Sequence, residues 1–309
     1  MGVFDVAILG GGPAGISAGI YAARFKLNAV IISNSLGGTA QTAHLIENYP
    51  GFGVISGFEL MQKFKDHLKS FDIPVIEKHV YSASKENDIF TIKLTDEEVK
   101  AKCILIATGT KRRKLGVPGE ARFYGKGVSY CATCDAFFYR DKTVAVIGGS
   151  DAANMAAILL ASMAKKVYVI YRKEKLRGEL VWIERVITNP KIEVLYNSNV
   201  VEVTGKEFVE GVKLEDGREI PVDGVFVEIG SIPECCCAND LGIEINQKGY
   251  IQVDSSQKTN VDRVYAAGDV TSGSNGFQQI VTASSEGVIA IKSIFDDMER
   301  SKVTIWKKE

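Results

Sequence analysis

Two cysteines and an aspartate near the middle of the chain are residue types suited to thiol redox chemistry. Cys131 and Cys134 are separated by two residues, and Asp135 follows directly. Cysteines at this spacing can close a small-ring disulfide, and one thiol can reach the lowered pKa that makes it nucleophilic at neutral pH. The Asp135 carboxyl can carry the proton that moves when the disulfide opens or closes. The segment therefore predicts a redox-active dithiol.

The same spacing supplies two zinc ligands, so a metal site is the competing interpretation. A structural zinc site needs a second pair of cysteine or histidine ligands at a compatible distance. Cys103 lies inside an apolar run, the other cysteines are adjacent at 235–237, and the histidines lie between positions 44 and 79. No four-ligand pattern forms. Because adjacent cysteines make strained disulfides, Cys235, Cys236 and Cys237 are interpreted as incidental thiols rather than a second redox or metal site.

The bulk properties are typical of a globular protein with more than one domain. The 309 residues fit two domains of ordinary size, with 46% hydrophobic and 24% charged residues. With 37 Lys plus Arg against 38 Asp plus Glu, the net charge of −1 predicts neither a nucleic-acid partner nor a polybasic membrane anchor. We see no signal peptide and no uncharged run long enough to span a bilayer. Since the cysteines form no regular disulfide framework, we expect a cytoplasmic protein.

The chain repeats one order of elements. A short apolar strand from Val6 leads into a glycine-rich turn at 10–15, a helix and a second apolar strand. The same order returns at Val144, with a related turn at 148–153. Each repeat is a strand, helix, strand unit of the kind that builds parallel sheets. The predicted fold class is therefore α/β, with two Rossmann-like dinucleotide-binding domains.

The end of the chain is too short for a third domain of this kind. It offers one strand and one long closing helix, which we expect to complete the first half. The basic run at 111–114 separates the two halves and is interpreted as a linker. We therefore predict a first domain built from residues 1–114 and 241–309, and a second domain, residues 115–240, inserted into it and carrying the cysteine pair.

The first turn has the glycine spacing of a dinucleotide-binding loop. Gly10 makes the tight turn, Gly12 lets the backbone approach a pyrophosphate, and Gly15 packs the helix against the strand. The phosphates then lie at the positive end of the helix. The acidic residue expected about 20 positions further on is missing, because residues 33–35 are Ser-Asn-Ser. Either a hydroxyl or amide there holds the ribose, or the ribose is held from elsewhere.

The second turn departs from the pattern at one position. Ser150 stands where the close-approach glycine is expected, between Gly148 and Ala153. The strand that follows ends in a basic segment that includes Arg172, Lys173 and Arg177. Basic side chains at this place suit a 2′-phosphate, so NADPH is favoured over NADH. The competing interpretation is an exposed basic turn without a ligand.

Two dinucleotide sites and one dithiol predict an electron relay. A nicotinamide gives two electrons as a hydride, and a flavin can accept them and pass them to a disulfide. The first site is therefore best filled by FAD.

The chain resembles the low-molecular-weight thioredoxin reductases over nearly its whole length. The specific part is the string Cys-Ala-Thr-Cys-Asp at 131–135 in the second domain. The other matching motifs are at 10–15, 37–38, 47–51, 107–109, 172–177 and 266–270. The glycine motifs alone would fit many flavoproteins.

The resemblance implies a homodimeric FAD enzyme that takes electrons from NADPH and reduces the disulfide of thioredoxin or a thioredoxin-like protein. Cys131 and Cys134 would be the redox pair, with Cys134 facing the flavin, Cys131 attacking the partner and Asp135 moving the proton. The second domain would rotate on its connections, which we expect near Lys114 to Gly116 and near Gly242.

The resemblance also assigns the two nucleotide sites. The FAD site would comprise Gly10, Gly12, Pro13, Ala14, Gly15, Gly38, Asn48, Thr108, Gly109, Gly268, Asp269 and Gln279. The NADPH site would comprise Gly148, Ser150, Ala153, Arg172, Lys173 and Arg177.

Three departures from the family pattern concern the electron donor. Ser150 replaces a glycine, residues 154–156 lack the acidic residue often found there, and Gln278 stands where arginine is common. A ferredoxin or a reduced deazaflavin is therefore an alternative donor. Outside enzymes, the alternative is a flavin-bound redox sensor that does not turn over.

Overall fold

The computed structural model describes residues 2–306, and the side chains of residues 2–299. The chain forms two compact units, and the second unit, Arg112–Ile232, is inserted into the first. The first unit runs up to Lys111 and resumes at Pro233. Each unit contains a parallel sheet with helices, which confirms the predicted fold class. The first unit boundary lies three residues before the predicted one, and the second lies eight residues before it.

The first segment of the first unit contains the first strand, helix, strand repeat. Its sheet has the order β3-β2-β1-β6-β5-β4, in which only β4 and β5 run antiparallel to their neighbours. Helix α1 starts at a proline, whose missing N–H costs nothing in a first helical turn. A capping box of Ser56 and Glu59 starts α2. The elements up to the second unit are β1 (Phe4–Leu9), α1 (Pro13–Arg24), β2 (Ala29–Ile32), α2 (Gly57–Lys69), β3 (Val75–Ile76), β4 (Ser82–Glu86), β5 (Ile89–Lys93), β6 (Glu98–Ile106) and β7 (Thr110–Arg112).

The second unit contains a five-stranded parallel sheet and a three-stranded antiparallel one. Their orders are β11-β10-β9-β15-β8 and β12-β13-β14. Helix α4 has no charged residue after Asp151, and seven of its residues are buried. The elements are β8 (Val128–Ser129), α3 (Ala132–Asp135), β9 (Thr143–Ile147), α4 (Asp151–Met163), β10 (Lys166–Ile170), α5 (Leu180–Ile187), β11 (Ile192–Leu195), β12 (Val200–Gly205), β13 (Val209–Leu214), β14 (Glu219–Pro221), β15 (Gly224–Val227) and β16 (Ser231–Pro233).

The last segment returns to the first unit. Its elements are α6 (Ala238–Leu241), β17 (Val264–Ala266) and α7 (Ile280–Trp306). Strand β17 pairs in parallel with β6, and α7 packs along α1. The C-terminal segment thereby lies beside the first glycine turn. No helix within residues 2–306 is both long and apolar enough to cross a membrane.

Candidate active site

The two central cysteines form a disulfide at the start of a short helix. Cys131 and Cys134 are bonded through their sulfurs, with their Cα atoms 5.3 Å apart. Cys131 caps α3, and its Sγ accepts a hydrogen bond from the backbone N–H of Cys134 at 3.2 Å. Cys134 is exposed and Cys131 is half-buried. The N–H group directed at Cys131 favours a negative charge on this sulfur once the disulfide is reduced.

Asp135 ends the helical turn that contains the disulfide. Its backbone N–H donates to the Cys131 carbonyl at 3.2 Å, and its side chain is half-buried. Burial, and then the negative charge of Asp135, raise the pKa of Tyr139 one turn further on. The Asp135 carboxylate therefore lies close enough to the Tyr139 ring for its charge to act on the phenol. Its role in moving the proton of Cys134 stays a prediction.

The first glycine turn has the shape that a pyrophosphate needs. A Cβ at Gly10 would lie 2.2 Å from the Ala107 oxygen, and one at Gly15 would lie 1.9 Å from the Gly10 oxygen. The protein's own backbone thus excludes a side chain at both positions. A Cβ at Gly12 would meet nothing nearer than the Gly38 Cα at 4.0 Å. The space above Gly12 is therefore open, and the residues present fit a bound dinucleotide there.

Three further FAD candidates lie at this turn: Pro13, Ala14 and Gly268. Pro13 and Ala14 form the first turn of α1. A Cβ at Gly268 would lie 3.0 Å from the Ala14 Cβ, so the C-terminal strand ends beside α1. The Asn48 amide donates to the Gln279 side chain at 3.0 Å, joining two candidates that are 231 positions apart.

Thr108 and Gly109 are held by the chain that returns from the second unit. The Thr108 hydroxyl donates to the Glu234 carbonyl, and the Glu234 N–H donates to the Gly109 carbonyl at 2.9 Å. The neighbouring Cys236 thiol has a pKa raised by its hydrogen bond with Cys237 and by burial. Such thiols stay protonated and unreactive. Within the described residues, no group of three or more potential ligands could hold a metal ion.

Ser33 occupies the place of the missing acidic residue and is used by the turn itself. Its hydroxyl accepts from the Gly11 N–H at 3.0 Å and donates to the Ser35 carbonyl at 2.8 Å. Asn34 is exposed beside it, with its amide nitrogen 3.4 Å from Nδ1 of His79. The Ser33 hydroxyl is therefore already engaged within the turn, and whether Asn34 or a residue elsewhere holds the ribose stays open.

Glu286 is a site residue that sequence reasoning missed. It is 4% exposed in α7 and accepts hydrogen bonds from the Gly268 N–H at 2.7 Å, the Ser274 hydroxyl at 2.5 Å and the Thr271 hydroxyl at 3.2 Å. Burial, and then the Glu286 charge, raise the pKa of the adjacent Asp269 to about 6. Glu286 thus fixes the loop that carries two FAD candidates. The only signal in the sequence was an acid at a position where the helix pattern calls for an apolar residue.

The second glycine turn forms despite its serine. Gly148 has a φ of +143°, and a Cβ there would lie 2.1 Å from the Glu228 oxygen. Ser150 has a φ of −111° and an extended backbone that any residue adopts, so the serine causes no strain. Its side chain does not cap α4, which begins at the next residue. Ala153 is fully buried, as the close packing of helix on strand requires.

The basic segment after β10 is tied to the second turn. Asn154 donates through its amide to the Arg177 carbonyl at 3.0 Å, and the Arg177 N–H donates to the Gly149 carbonyl at 2.7 Å. All three basic candidates have exposed side chains, and none is in an ion pair among residues 2–299: Arg172, Lys173 and Arg177. Unpaired cations held beside a dinucleotide turn fit a 2′-phosphate. Asn154, which stands where an acidic residue is common, thus holds the basic segment in place.

A second buried carboxylate lies under the second turn. Glu228 directly follows β15, is 4% exposed and pairs with the Arg112 guanidinium at 2.6 Å. Burial raises the Glu228 pKa to about 7, although the charge and hydrogen bond of Arg112 oppose the shift. Between pH 4.5 and 7 the folded protein therefore holds a proton that the unfolded chain has released. Stability contributed by this group falls as the pH rises through that window.

We predict that Glu228→Gln weakens the pH dependence of stability. From pH 5.5 to 8, the free energy of unfolding of the wild type should fall by about 2 kcal/mol more than that of the variant, because glutamine does not ionise. Urea titrations at the two pH values measure both differences. Glu219→Gln, at an exposed acid of the same unit, is the matched control and should follow the wild type. Equal pH slopes for wild type and Glu228→Gln would show that Glu228 is ionised throughout.

Two units that each contain a dinucleotide-type turn, with a disulfide in the second unit, define a nucleotide-dependent disulfide oxidoreductase. Residues 4–287 match the pyridine nucleotide-disulphide oxidoreductase family. The thioredoxin reductase of Mycoplasma genitalium is 38% identical over 303 residues, covering 96% of each chain. The chain belongs to the pyridine nucleotide-disulphide oxidoreductase family.

Two solved structures extend this finding to the fold. The crystal structure of T. acidophilum thioredoxin reductase is 39% identical, covers 96% of this chain and 98% of its own, and has a TM-score of 0.90. A ferredoxin-flavin thioredoxin reductase from Clostridium acetobutylicum is 32% identical, covers 98% of this chain and 100% of its own, and has a TM-score of 0.55. The resemblance stated from the motifs is thereby confirmed.

Proposed function

We propose that the protein is an FAD-dependent thioredoxin-disulfide reductase in which electrons pass from NADPH through FAD to the Cys131–Cys134 disulfide and on to a thioredoxin-like protein. The observation that carries the proposal is this disulfide, which lies in the unit that also holds the basic dinucleotide turn. Thioredoxin reductases of this family use FAD and NADPH. The similarity to them over nearly the full chain supports the same reaction here.

The first turn and its neighbours would hold FAD, which when bound accepts a hydride from a nicotinamide and passes two electrons to a disulfide. Gly12 leaves room for the pyrophosphate, and the N–H groups that open α1 point toward it. A Cβ at Gly38 would lie 3.0 Å from the Gly12 Cα, so Gly38 allows the two backbones to approach closely. Asn48 and Gln279 position each other through the hydrogen bond that the Asn48 amide donates to the Gln279 side-chain oxygen. Asp269 is held by the loop that Glu286 fixes.

We propose that Cys131 is the thiol that attacks the disulfide of the partner protein. After reduction, its thiolate is stabilised by the Cys134 N–H and attacks one sulfur of the partner's disulfide, and the partner's other sulfur leaves as a thiolate. Asp135 takes the proton of the Cys134 thiol and passes it to that leaving thiolate. The Cys134 thiolate then attacks the Cys131 sulfur, which re-forms the disulfide and releases the partner's second sulfur as a thiolate. This thiolate takes its proton from water.

The surface beside the disulfide suits a protein substrate. Phe137 and Phe138 follow the disulfide helix directly and are 65% and 69% exposed. Exposed aromatic side chains next to a reactive group are typical of a docking surface for another protein. We propose that Phe137 and Phe138 contact the thioredoxin-like partner.

The electron donor is the part of the proposal with an alternative. The unpaired basic side chains after β10 favour NADPH. Two observations favour another donor: Ser150 narrows the space for a pyrophosphate, and one similar structure is a ferredoxin-flavin thioredoxin reductase. Stopped-flow mixing of the oxidised holoenzyme with NADPH or NADH, followed by thiol release from oxidised thioredoxin, decides the question. We expect NADPH to bleach the flavin at least about tenfold faster than NADH.

The other outcomes of this experiment are equally clear. If NADPH does not bleach the flavin, and reduced ferredoxin or deazaflavin supports turnover, then that compound and not NADPH is the electron donor. Bleaching without multiple turnovers of thioredoxin would instead identify a redox sensor.

We further propose that the protein is a homodimer, as the family resemblance implies. A groove of about 490 Å³ in the first unit is lined mainly by apolar side chains of α1, α2 and α7 and the loop before α2. Tyr21, Phe52 and Ile289 are each more than a third exposed there. A second copy that covers this groove would bury them. We expect sedimentation velocity to give about twice the monomer mass of 33.6 kDa, and a monomer at micromolar concentration would contradict the proposal.

We place the reaction in the cytoplasm. Four cysteines, Cys103 and the three at 235–237, are free thiols, as expected in a reducing compartment. Fractionation of cells with an antibody against the protein tests this assignment.

A further inference from the structure

Glu120 is a buried carboxylate that the proposed mechanism does not use. It is 6% exposed and accepts hydrogen bonds from the backbone N–H groups of Leu115 and Gly116, each at 2.6 Å. The Tyr130 hydroxyl donates to the same carboxylate. Three donors directed at one buried carboxylate form a strong and fully satisfied cluster. The first residues of the second unit are thereby tied to a residue in the chain leading to the disulfide.

The ionisation states of the pair keep this cluster intact at neutral pH. Burial would raise the Glu120 pKa, but the hydrogen bonds from Tyr130, Leu115 and Gly116 outweigh it and lower the pKa. Burial, and then the bond to Glu120, raise the Tyr130 pKa. Glu120 therefore stays a carboxylate and Tyr130 stays a donor.

Tyr130 connects this cluster directly to Cys131. It precedes Cys131 in the chain, and its ring packs against the apolar cluster under the parallel sheet and lies 5.8 Å from the Tyr124 ring. On the same stretch, the Ser129 hydroxyl accepts from the Cys131 N–H at 3.0 Å. The backbone entering the disulfide is thus held by side chains on both residues that precede Cys131.

The cluster also fixes the segment near Lys114 to Gly116, where we expect the second domain to rotate. The two N–H groups bound by Glu120 belong to Leu115 and Gly116, and Arg113 just before them donates its N–H to the Gly230 carbonyl at 3.0 Å. Residues 113–116 are therefore anchored within the second unit.

We propose that Glu120 is a positioning residue for the Cys131–Cys134 disulfide. Through Tyr130 it fixes the backbone at Cys131, so that the two sulfurs stay within bonding distance when the disulfide is reduced. The proposal deepens the proposed function and rests on it for its catalytic consequence. It requires that loosening the Glu120–Tyr130 contact lowers the effective concentration of one thiol near the other and shifts the equilibrium toward the dithiol.

The test compares Glu120→Gln and Tyr130→Phe with the wild type in the full-length holoprotein. Each protein is equilibrated with mixtures of reduced and oxidised dithiothreitol, and the free thiols at 131 and 134 are alkylated and counted by mass spectrometry. We expect each variant to shift the equilibrium about tenfold toward the dithiol, equal to about 30 mV. Tyr124→Phe is the matched control, because the Tyr124 ring is exposed and makes no hydrogen bond to Glu120 among the described residues. It should stay within about twofold of the wild type.

A double variant and the separate half-reactions show whether the two residues act together. Because they form one contact, the Glu120→Gln, Tyr130→Phe double variant should shift the equilibrium no further than the stronger single variant. Thioredoxin turnover should fall in each variant, whereas bleaching of the flavin by NADPH should not change. If the glutamine variant does not fold, Tyr130→Phe, which keeps the ring, carries the test alone.

Two results would overturn the inference. One is a dithiol–disulfide equilibrium constant that is the same in Tyr130→Phe as in Tyr124→Phe. The other is an equal loss of flavin bleaching and thioredoxin turnover together with a lower melting temperature, since this indicates general destabilisation. A wild type that never reduces thioredoxin, with the equilibrium shift still present, would reject the proposed function and leave the positioning role standing.

Discussion

Cys131→Ser and Cys134→Ser should each abolish thioredoxin reduction while NADPH continues to bleach the bound flavin. A serine hydroxyl can neither form a disulfide nor leave as a thiolate, so turnover should fall by at least about a thousandfold. The NADPH candidates around Gly148 and Arg177 are separate from the disulfide in the chain and contain no thiol. Stopped-flow absorbance measures flavin reduction, and thiol release from thioredoxin measures turnover.

The two serine variants should differ in one respect. If Cys131 attacks the partner, Cys134→Ser will form a mixed disulfide with thioredoxin that cannot be resolved, and Cys131→Ser will not. Mass spectrometry under non-reducing conditions detects the adduct. Cys235→Ser is the matched control, because the Cys235 thiol donates to the Gly249 carbonyl at 3.1 Å and a hydroxyl can make the same bond. Thioredoxin turnover by either active-site variant, or a trapped adduct on Cys134, would contradict the assignment.

The elements that can be predicted from the sequence are those written in short local patterns. The glycine spacing at 10–15 and the apolar strand before it identify a nucleotide turn without knowledge of the rest of the chain. The turn at 148–153 is identified in the same way, and the extended backbone of Ser150 accepts a serine in place of the glycine. The pairing of Cys131 with Cys134 likewise follows from a spacing of two residues.

Contacts between distant segments could not be predicted on physical grounds. The hydrogen bond from Asn48 to Gln279 joins residues that are 231 positions apart in the chain. Only the family resemblance predicts that both residues belong to one site. Glu120, Glu228 and Glu286 are buried, yet in the sequence each looks like the many acids that lie on a protein surface. What distinguishes them is the set of backbone N–H groups or cations that the fold directs at each carboxylate, and that set exists only in three dimensions.

Gly12→Ala should give a protein that folds and cannot retain FAD. The backbone at Gly12 has φ −77° and ψ −171°, which alanine adopts without strain, and the nearest protein atom to a new Cβ would be 4.0 Å away. The methyl group would stand where the pyrophosphate must approach the backbone. FAD affinity should fall by at least about a hundredfold, with the thermal unfolding of the apoprotein unchanged. Flavin absorbance after gel filtration and differential scanning fluorimetry of the apoprotein measure the two quantities.

Two other glycines make the test specific to the ligand. A Cβ at Gly53 meets no atom within 4 Å, so Gly53→Ala should keep both FAD and stability. A Cβ at Gly15 would lie 1.9 Å from the Gly10 oxygen, so Gly15→Ala should destabilise even the apoprotein, because the close contact of helix and strand is lost. The first turn thus separates a glycine needed by the cofactor from one needed by the fold. Full flavin content in Gly12→Ala would mean that the pyrophosphate lies elsewhere, and the assignment of the first turn to FAD would fail.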